Sequence, residues 1–146
     1  MRVYLDTSAV LKRVIEEPES TSLVAYLSER QSEGSPLVSS SLTWIEASRA
    51  LLRGGVGDAL RVDGLATAAL SGVAERPVTG EVVALARRLG PSSLRSLDAI
   101  HLASALAVDA DVVLTYDDRL AEAVESHGLR TLAPATWRSG HAENGE

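Results

Sequence analysis

Residues 111–117 read Asp-Val-Val-Leu-Thr-Tyr-Asp and carry the clearest strand signal in the chain. A short apolar run rich in β-branched residues is typical of a strand buried inside a sheet. We predict a strand over 111–115, followed closely by the carboxylate of Asp117. The same pattern opens the chain, where residues 3–5 lead directly to Asp6. Two buried strands are therefore expected to end near acids.

Helical and strand patterns alternate along the rest of the sequence. The predicted strands are 3–5, 36–39, 73–78, 111–115 and 129–132, and the predicted helices are 9–15, 20–31, 42–53, 58–71, 80–89, 97–108 and 119–126. Such alternation predicts an α/β fold with a mostly parallel central sheet of four to five strands, flanked by helices on both faces. The strand at 129–132 is expected at an edge of that sheet.

Length and composition predict one domain over residues 1–137, followed by a polar and disordered tail over 138–146. Apolar residues make up 45% of the chain but aromatic residues only 3%, so the core must be aliphatic. Cysteine is absent, which excludes disulfides, thiolate metal sites and cysteine catalysis. The chain shows no apolar run of the roughly 20 residues that span a bilayer. We expect a cytoplasmic protein that does not enter the membrane.

The net charge of −6 argues against generic electrostatic binding to nucleic acid. Of the 14 basic residues, 13 are arginine, and they are scattered rather than grouped in a basic stripe. An enzyme acting on nucleic acid remains possible, because divalent ions bound at an acidic site invert the local field.

Four acids, Asp6, Glu46, Asp98 and Asp117, fall at predicted strand ends or helix starts. In a parallel sheet these places meet at the carboxyl edge, where ligands bind. Carboxylates gathered there repel one another unless a hard cation joins them. Ligation by oxygen alone selects Mg²⁺ or Mn²⁺ over zinc.

Each acid also has a purely local interpretation. Asp6 could cap the first helix, and Thr43 with Glu46 has the spacing of a capping box. Asp98 could serve the helix dipole, and residues 115–118 form a looser capping pattern. From the residues alone, helix capping and a shared metal site both stay open.

A metal site of this kind would support only a few types of reaction. Cations held by carboxylates leave room for water and a phosphate oxygen, which suits in-line hydrolysis of a phosphodiester. The small hydroxyls of Thr7, Ser8 and Thr115 lie beside the acids and are of the type that orients carboxylates.

Five further residues near the acids have competing interpretations. For His101 we favour a structural role, hydrogen-bonded between sheet and helix, because oxygen-selective sites seldom recruit imidazole. Arg119 is expected to pair with neighbouring carboxylates, while Arg95 is left open between such pairing and a grip on RNA phosphate. Trp44 and Tyr116 are expected to pack rather than to stack on a base.

Four segments in order carry a family resemblance. They are 3–9 (VYLDTSA), 38–46 (VSSSLTWIE), 97–103 (LDAIHLA) and 114–120 (LTYDDRL). Together they resemble a PIN-domain ribonuclease, and more narrowly the VapC toxins of bacterial toxin–antitoxin pairs. The likeness runs from residue 3 to about 132 and implies a PIN-like three-layer α/β/α fold.

The resemblance also implies specific roles. The family's metal-binding acids correspond to Asp6, Glu46, Asp98 and Asp117, its hydroxyl partners correspond to Ser8 and Thr115, and Asp118 is a possible fifth acid. The implied activity is that of a Mg²⁺- or Mn²⁺-dependent endoribonuclease acting on structured RNA of the tRNA or rRNA class. The implied partners are a VapB-type antitoxin and a second copy of the chain, in a homodimer. The alternative is a catalytically silent PIN-fold module that binds RNA or protein.

Overall fold

The structure is a computed structural model and describes residues 1–135. It contains five strands: β1 (Val3–Leu5), β2 (Leu37–Ser40), β3 (Ala74–Arg76), β4 (Val112–Leu114) and β5 (Arg130–Leu132). The helices are α1 (Thr7–Leu11), α2 (Ser20–Ser32), α3 (Ser41–Arg53), α4 (Ala59–Ala69), α5 (Gly80–Ala86), α6 (Ser96–Ala107) and α7 (Asp118–Ser126).

The five strands form one sheet in the order β3-β2-β1-β4-β5. Every neighbouring pair is parallel, and β1 is the central strand, with Val3 opposite Leu37 on one side and Val112 on the other. The chain leaves β1 towards β2, and β4 later pairs with its other side. Such a reversal of direction opens a crevice at the carboxyl ends of the strands. The predicted α/β class, the parallel sheet and the edge position of the last strand are confirmed.

Helices cover both faces of the sheet, because successive side chains of a strand point in opposite directions. Val3 and Leu5 pack in one buried cluster with residues of α1 to α4. Tyr4, between them, joins a second cluster that contains Leu102 of α6 and Leu120 of α7. The layers are therefore helix, sheet and helix.

Two helices have an end that differs from the prediction by more than two residues. Helix α1 begins at Thr7 rather than at residue 9, because Asp6 caps it by accepting a hydrogen bond from the Ala9 amide, and it ends at Leu11 rather than at residue 15. Helix α5 ends at Ala86 rather than at residue 89.

Two capping interpretations are wrong. Helix α3 begins at Ser41 with Ser40 as its cap, so Glu46 lies in the second turn and forms no capping box with Thr43. The cap of α7 is Asp117 itself, which replaces the pattern predicted over residues 115–118.

The predicted tail over 138–146 lies outside the described residues. Within residues 1–135, none of the helices combines the length and apolar character needed to cross a bilayer.

Candidate active site

Asp6 lies at the end of the central strand and is buried, with an exposed fraction of 4%. Its Oδ1 accepts hydrogen bonds from the Ser8 hydroxyl at 2.7 Å and the Ala9 amide at 3.0 Å, and its Oδ2 accepts one from the Thr115 hydroxyl at 2.5 Å. Burial raises the pKa of Asp6, and the charge of His101 and these hydrogen bonds offset that rise only in part. The carboxylate is therefore rigidly held in surroundings that disfavour its charge.

Thr115 connects the acids of the two central strands. While its hydroxyl donates to Asp6, it accepts a hydrogen bond from the Asp117 amide at 3.1 Å. Asp117 follows β4 and caps α7, where its Oδ1 accepts from the Arg119 and Leu120 amides. The Ser8 hydroxyl makes a second link, because it also accepts from the Tyr116 amide at 2.9 Å. The ends of β1 and β4 are thus joined through side chains as well as through the sheet.

Glu46 reaches the same edge from the second turn of α3. Its Oε1 accepts from the Thr7 hydroxyl at 2.7 Å and lies 2.6 Å from His101 Nε2. Burial pushes the pKa of Glu46 upward, but the hydrogen bond and charge of His101, together with Thr7, outweigh it and leave the pKa below its usual range. Glu46 is therefore held as a carboxylate.

Asp98 lies in the first turn of α6 and is partly exposed. Burial raises its pKa, and repulsion from Asp117, Glu46 and Asp6 raises it further, while His101 opposes the rise. The other three predicted acids are therefore close enough to Asp98 to raise its pKa. The four acids come from four different elements of the fold.

The oxygens that remain free define what the site can bind. Within residues 1–135, no hydrogen bond reaches Glu46 Oε2, Asp117 Oδ2 or either oxygen of Asp98. A carboxylate offers about four acceptor positions, so lone pairs remain available at this edge. In the same part of the chain, no three acidic or histidine side chains are grouped closely enough to enclose a metal ion. Carboxylate oxygens are the ligands that a hard divalent cation prefers, although these oxygens do not surround a single point.

A hollow of about 750 Å³ opens beside Asp98. Arg95 at the start of α6 and Arg119 on α7 line it, together with Glu122. None of the ion pairs between residues 1 and 135 includes Arg119, so the predicted pairing with neighbouring carboxylates is not seen there. Asp118 is exposed and lines a different depression, with Glu19 and Thr131.

The structure also tests the expectations for the remaining residues. His101 is buried and hydrogen-bonded between β1 and α3, which confirms the predicted structural setting. Trp44 and Tyr116 are partly buried against the core, which confirms that they pack. The sequence drew attention to the Thr7 hydroxyl as one that orients carboxylates, but it did not connect Thr7 or His101 with Glu46.

The PIN domain family profile matches residues 3–125 of this chain. Among curated proteins, ribonuclease VapC47 of Mycobacterium tuberculosis is 37% identical over 139 residues, covering 93% of this chain and 99% of the relative. Ribonuclease VapC46 of the same species is 42% identical over 135 residues, with 91% and 98% covered.

A solved structure agrees with this fold. The VapBC2 complex from Rickettsia felis, bound to a DNA fragment from its promoter, contains a chain that superposes with a TM-score of 0.72. The match covers 92% of this chain and 99% of that chain at 13% sequence identity. The chain belongs to the PIN-domain family and, within it, to the VapC ribonucleases.

Proposed function

We propose that this protein is a Mg²⁺- or Mn²⁺-dependent endoribonuclease that hydrolyses RNA phosphodiester bonds as the toxin of a toxin–antitoxin pair. The observation that supports the proposal is the position of Asp98, whose pKa is raised by its burial and by the charges of Asp117, Glu46 and Asp6. The family membership supports the same reaction. Asp118, which is exposed and faces another depression, has no place in this proposal.

The four carboxylates would hold the cation, each from its own element. A divalent cation bound there neutralises their charge, polarises a phosphate oxygen and lowers the pKa of a water molecule. Asp6 and Glu46 keep a fixed direction, because Ser8, Thr115 and Thr7 donate to them. Asp98 and Asp117 offer the oxygens that are least engaged by the protein.

The hollow beside Asp98 is the proposed path of the RNA. Guanidinium groups suit phosphate because their donors match its oxygens in a fixed fork. Arg95 and Arg119 would therefore grip the phosphates next to the scissile one, and Arg95 is the residue that the sequence already suggested for this role. The proposed substrate is structured RNA of the tRNA or rRNA class.

The proposed partners are a cognate VapB-type antitoxin and a second copy of the chain, in the cytoplasm. The Rickettsia felis relative, which is solved as a VapBC complex, supports the first of these. An acidic edge with unpaired oxygens attracts a basic side chain, so an antitoxin could block the site by placing one there.

The test is cleavage of total RNA by the purified protein with and without Mg²⁺. We expect cleavage to require the cation and to fall by on the order of 10²–10³-fold in Asp6→Asn, because one preorganised charge is lost. Asp58→Asn is the matched control. Asp58 caps the exposed start of α4, and asparagine caps as well as aspartate.

Two results would contradict the proposal. One is RNA binding without cleavage under any divalent cation, which is the behaviour of a silent binding module. The other is cleavage that survives both chelation of the cation and the Asp6→Asn change.

A further inference from the structure

A chain of hydrogen bonds runs from the core to the acidic edge. The Tyr4 hydroxyl, fully buried on the central strand, lies 2.8 Å from His101 Nδ1. His101 Nε2 lies 2.6 Å from Glu46 Oε1, and the Thr7 hydroxyl reaches the same oxygen at 2.7 Å. Side chains of two helices, α1 and α6, thus converge on one oxygen of one carboxylate.

The direction of these bonds follows from the groups themselves. An ionised carboxylate only accepts, so His101 Nε2 must carry a proton to bond with Glu46. The Tyr4 hydroxyl can donate to Nδ1 of a neutral ring or accept from Nδ1 of a charged one, so in both forms it holds the ring with Nε2 towards Glu46. Burial raises the pKa of Tyr4 above its already high normal value, so the hydroxyl keeps its proton.

The two oxygens of the Glu46 carboxylate have different surroundings. Oε1 is engaged by both Thr7 and His101, whereas no hydrogen bond from residues 1–135 reaches Oε2. A carboxylate fixed through one oxygen presents the other in a single direction. Hydrogen-bonded partners of this kind set the orientation and the affinity of carboxylate ligands to metals.

We propose that Thr7 and His101 are positioning residues that fix Glu46 through Oε1 and so leave its Oε2 available to hold a divalent cation, with Tyr4 holding the His101 ring. This inference rests on the proposed function, because it assigns Glu46 to the cation. A role limited to the core would satisfy Tyr4 and His101 with each other and make no use of Glu46.

Matched pairs of variants separate these roles. His101→Asn places an amide near the position of Nδ1. It therefore keeps a partner for Tyr4 and removes the donor that His101 provides to Glu46. His101→Gln reaches the position of Nε2 and keeps a donor for Glu46. Thr7→Val removes the second donor at equal size, while Thr7→Ser retains the hydroxyl.

The measurement is Mn²⁺ binding to the RNA-free protein, followed by the loss of the free-ion electron paramagnetic resonance signal. We expect His101→Asn and Thr7→Val to bind Mn²⁺ about 10–100-fold more weakly than the wild type. His101→Gln and Thr7→Ser should bind close to wild-type values. Thermal unfolding without metal reports whether each variant is folded.

Equal Mn²⁺ affinity within each matched pair of folded variants would overturn the inference. If His101→Asn does not fold, the Thr7 pair decides the question, because it leaves the Tyr4–His101 contact intact. Failure of the positioning role can be distinguished from failure of the proposed function. A wild type that binds no Mn²⁺ contradicts the proposed function as well, whereas a wild type that binds Mn²⁺ and cleaves RNA, with unaffected variants, contradicts only the positioning role.

Discussion

The acidic edge has two unlike halves. Asp6 accepts three hydrogen bonds and Glu46 accepts two, and together they form a fixed half against the core. In the open half, Asp117 uses one oxygen as a helix cap, and Asp98 accepts no hydrogen bond from residues 1–135 while it borders the hollow. The fixed half thus comes from the end of β1 and the second turn of α3, and the open half comes from the starts of α6 and α7.

This difference separates two requirements of such a site. A carboxylate held by donors keeps its geometry without any ligand, but it has few lone pairs left to offer. A carboxylate without donors is repelled by its neighbours, so a cation that joins them relieves that repulsion. The fixed half would define where the cation binds, and the open half would gain most from its arrival.

The largest predicted effect on the two halves is the gain in stability when a divalent cation binds. At a cation concentration 100-fold above Kd, the wild type should gain about 2.7 kcal/mol in the free energy of unfolding. Asp98→Asn should lose most of this gain, because it removes the carboxylate that the cation relieves. Differential scanning fluorimetry with and without Mg²⁺ measures the difference, and Asp58→Asn is the control. An equal gain in both variants would show that Asp98 takes no part in binding.

A smaller effect on stability is expected from Thr115, whose hydroxyl connects Asp6 of the fixed half with Asp117 of the open half. Thr115→Val leaves the Asp117 amide and one oxygen of Asp6 without a partner, which should cost roughly 1–3 kcal/mol of stability. Thr115→Ser keeps the hydroxyl and should stay close to the wild type. Chemical denaturation of both variants provides the measurement. A valine variant as stable as the serine variant would mean that this connection contributes nothing.

The arginines of the hollow should have an effect of only a few-fold, confined to RNA binding. Each of Arg95→Ala and Arg119→Ala should raise KM without changing kcat, because exposed phosphate contacts act on the ground state and the transition state alike. Each should also reduce the slope of log affinity against log salt by about 1. Arg61→Ala, on α4 and away from the hollow, is the control. An unchanged salt slope would exclude the hollow as the path of the RNA.

The smallest effect concerns pH. Burial and the charge of Asp117 raise the pKa of Asp98. The folded chain therefore holds a proton on Asp98 at pH values where the unfolded chain has already released it, so metal-free stability falls as pH rises through the folded pKa. Asp98→Asn removes this contribution, and its stability relative to the wild type should increase over the same range. Urea denaturation across the acidic range measures the difference, and a constant difference would contradict it.

Much of the fold could be predicted because its signals are local. The apolar runs at 3–5 and 112–114 are short and contain β-branched residues, which favours buried strands, and an acid that follows such a strand lies at the carboxyl edge of a parallel sheet. Helix ends were harder where several residues could act as caps. Ser39, Ser40 and Ser41 can all begin a helix, and in the structure it is the Ser40 hydroxyl that accepts from the Leu42 amide.

The contacts within the site could not be predicted, because they join distant parts of the chain. Tyr4 meets His101 across 97 positions, and His101 meets Glu46 across 55. No periodicity connects these residues. The same holds for the hollow, since only the packing of α6 against α7 brings Arg95 and Arg119 to one depression.

The position of β4 beside β1 has a consequence for synthesis. The first strand pairs with one made more than a hundred residues later, and the acids span positions 6 to 117. A ribosome must therefore synthesise residues 6–117 before all four carboxylates can meet. A nascent chain that has not yet reached Asp117 lacks the last of the four acids, and its first strand lacks the neighbour β4.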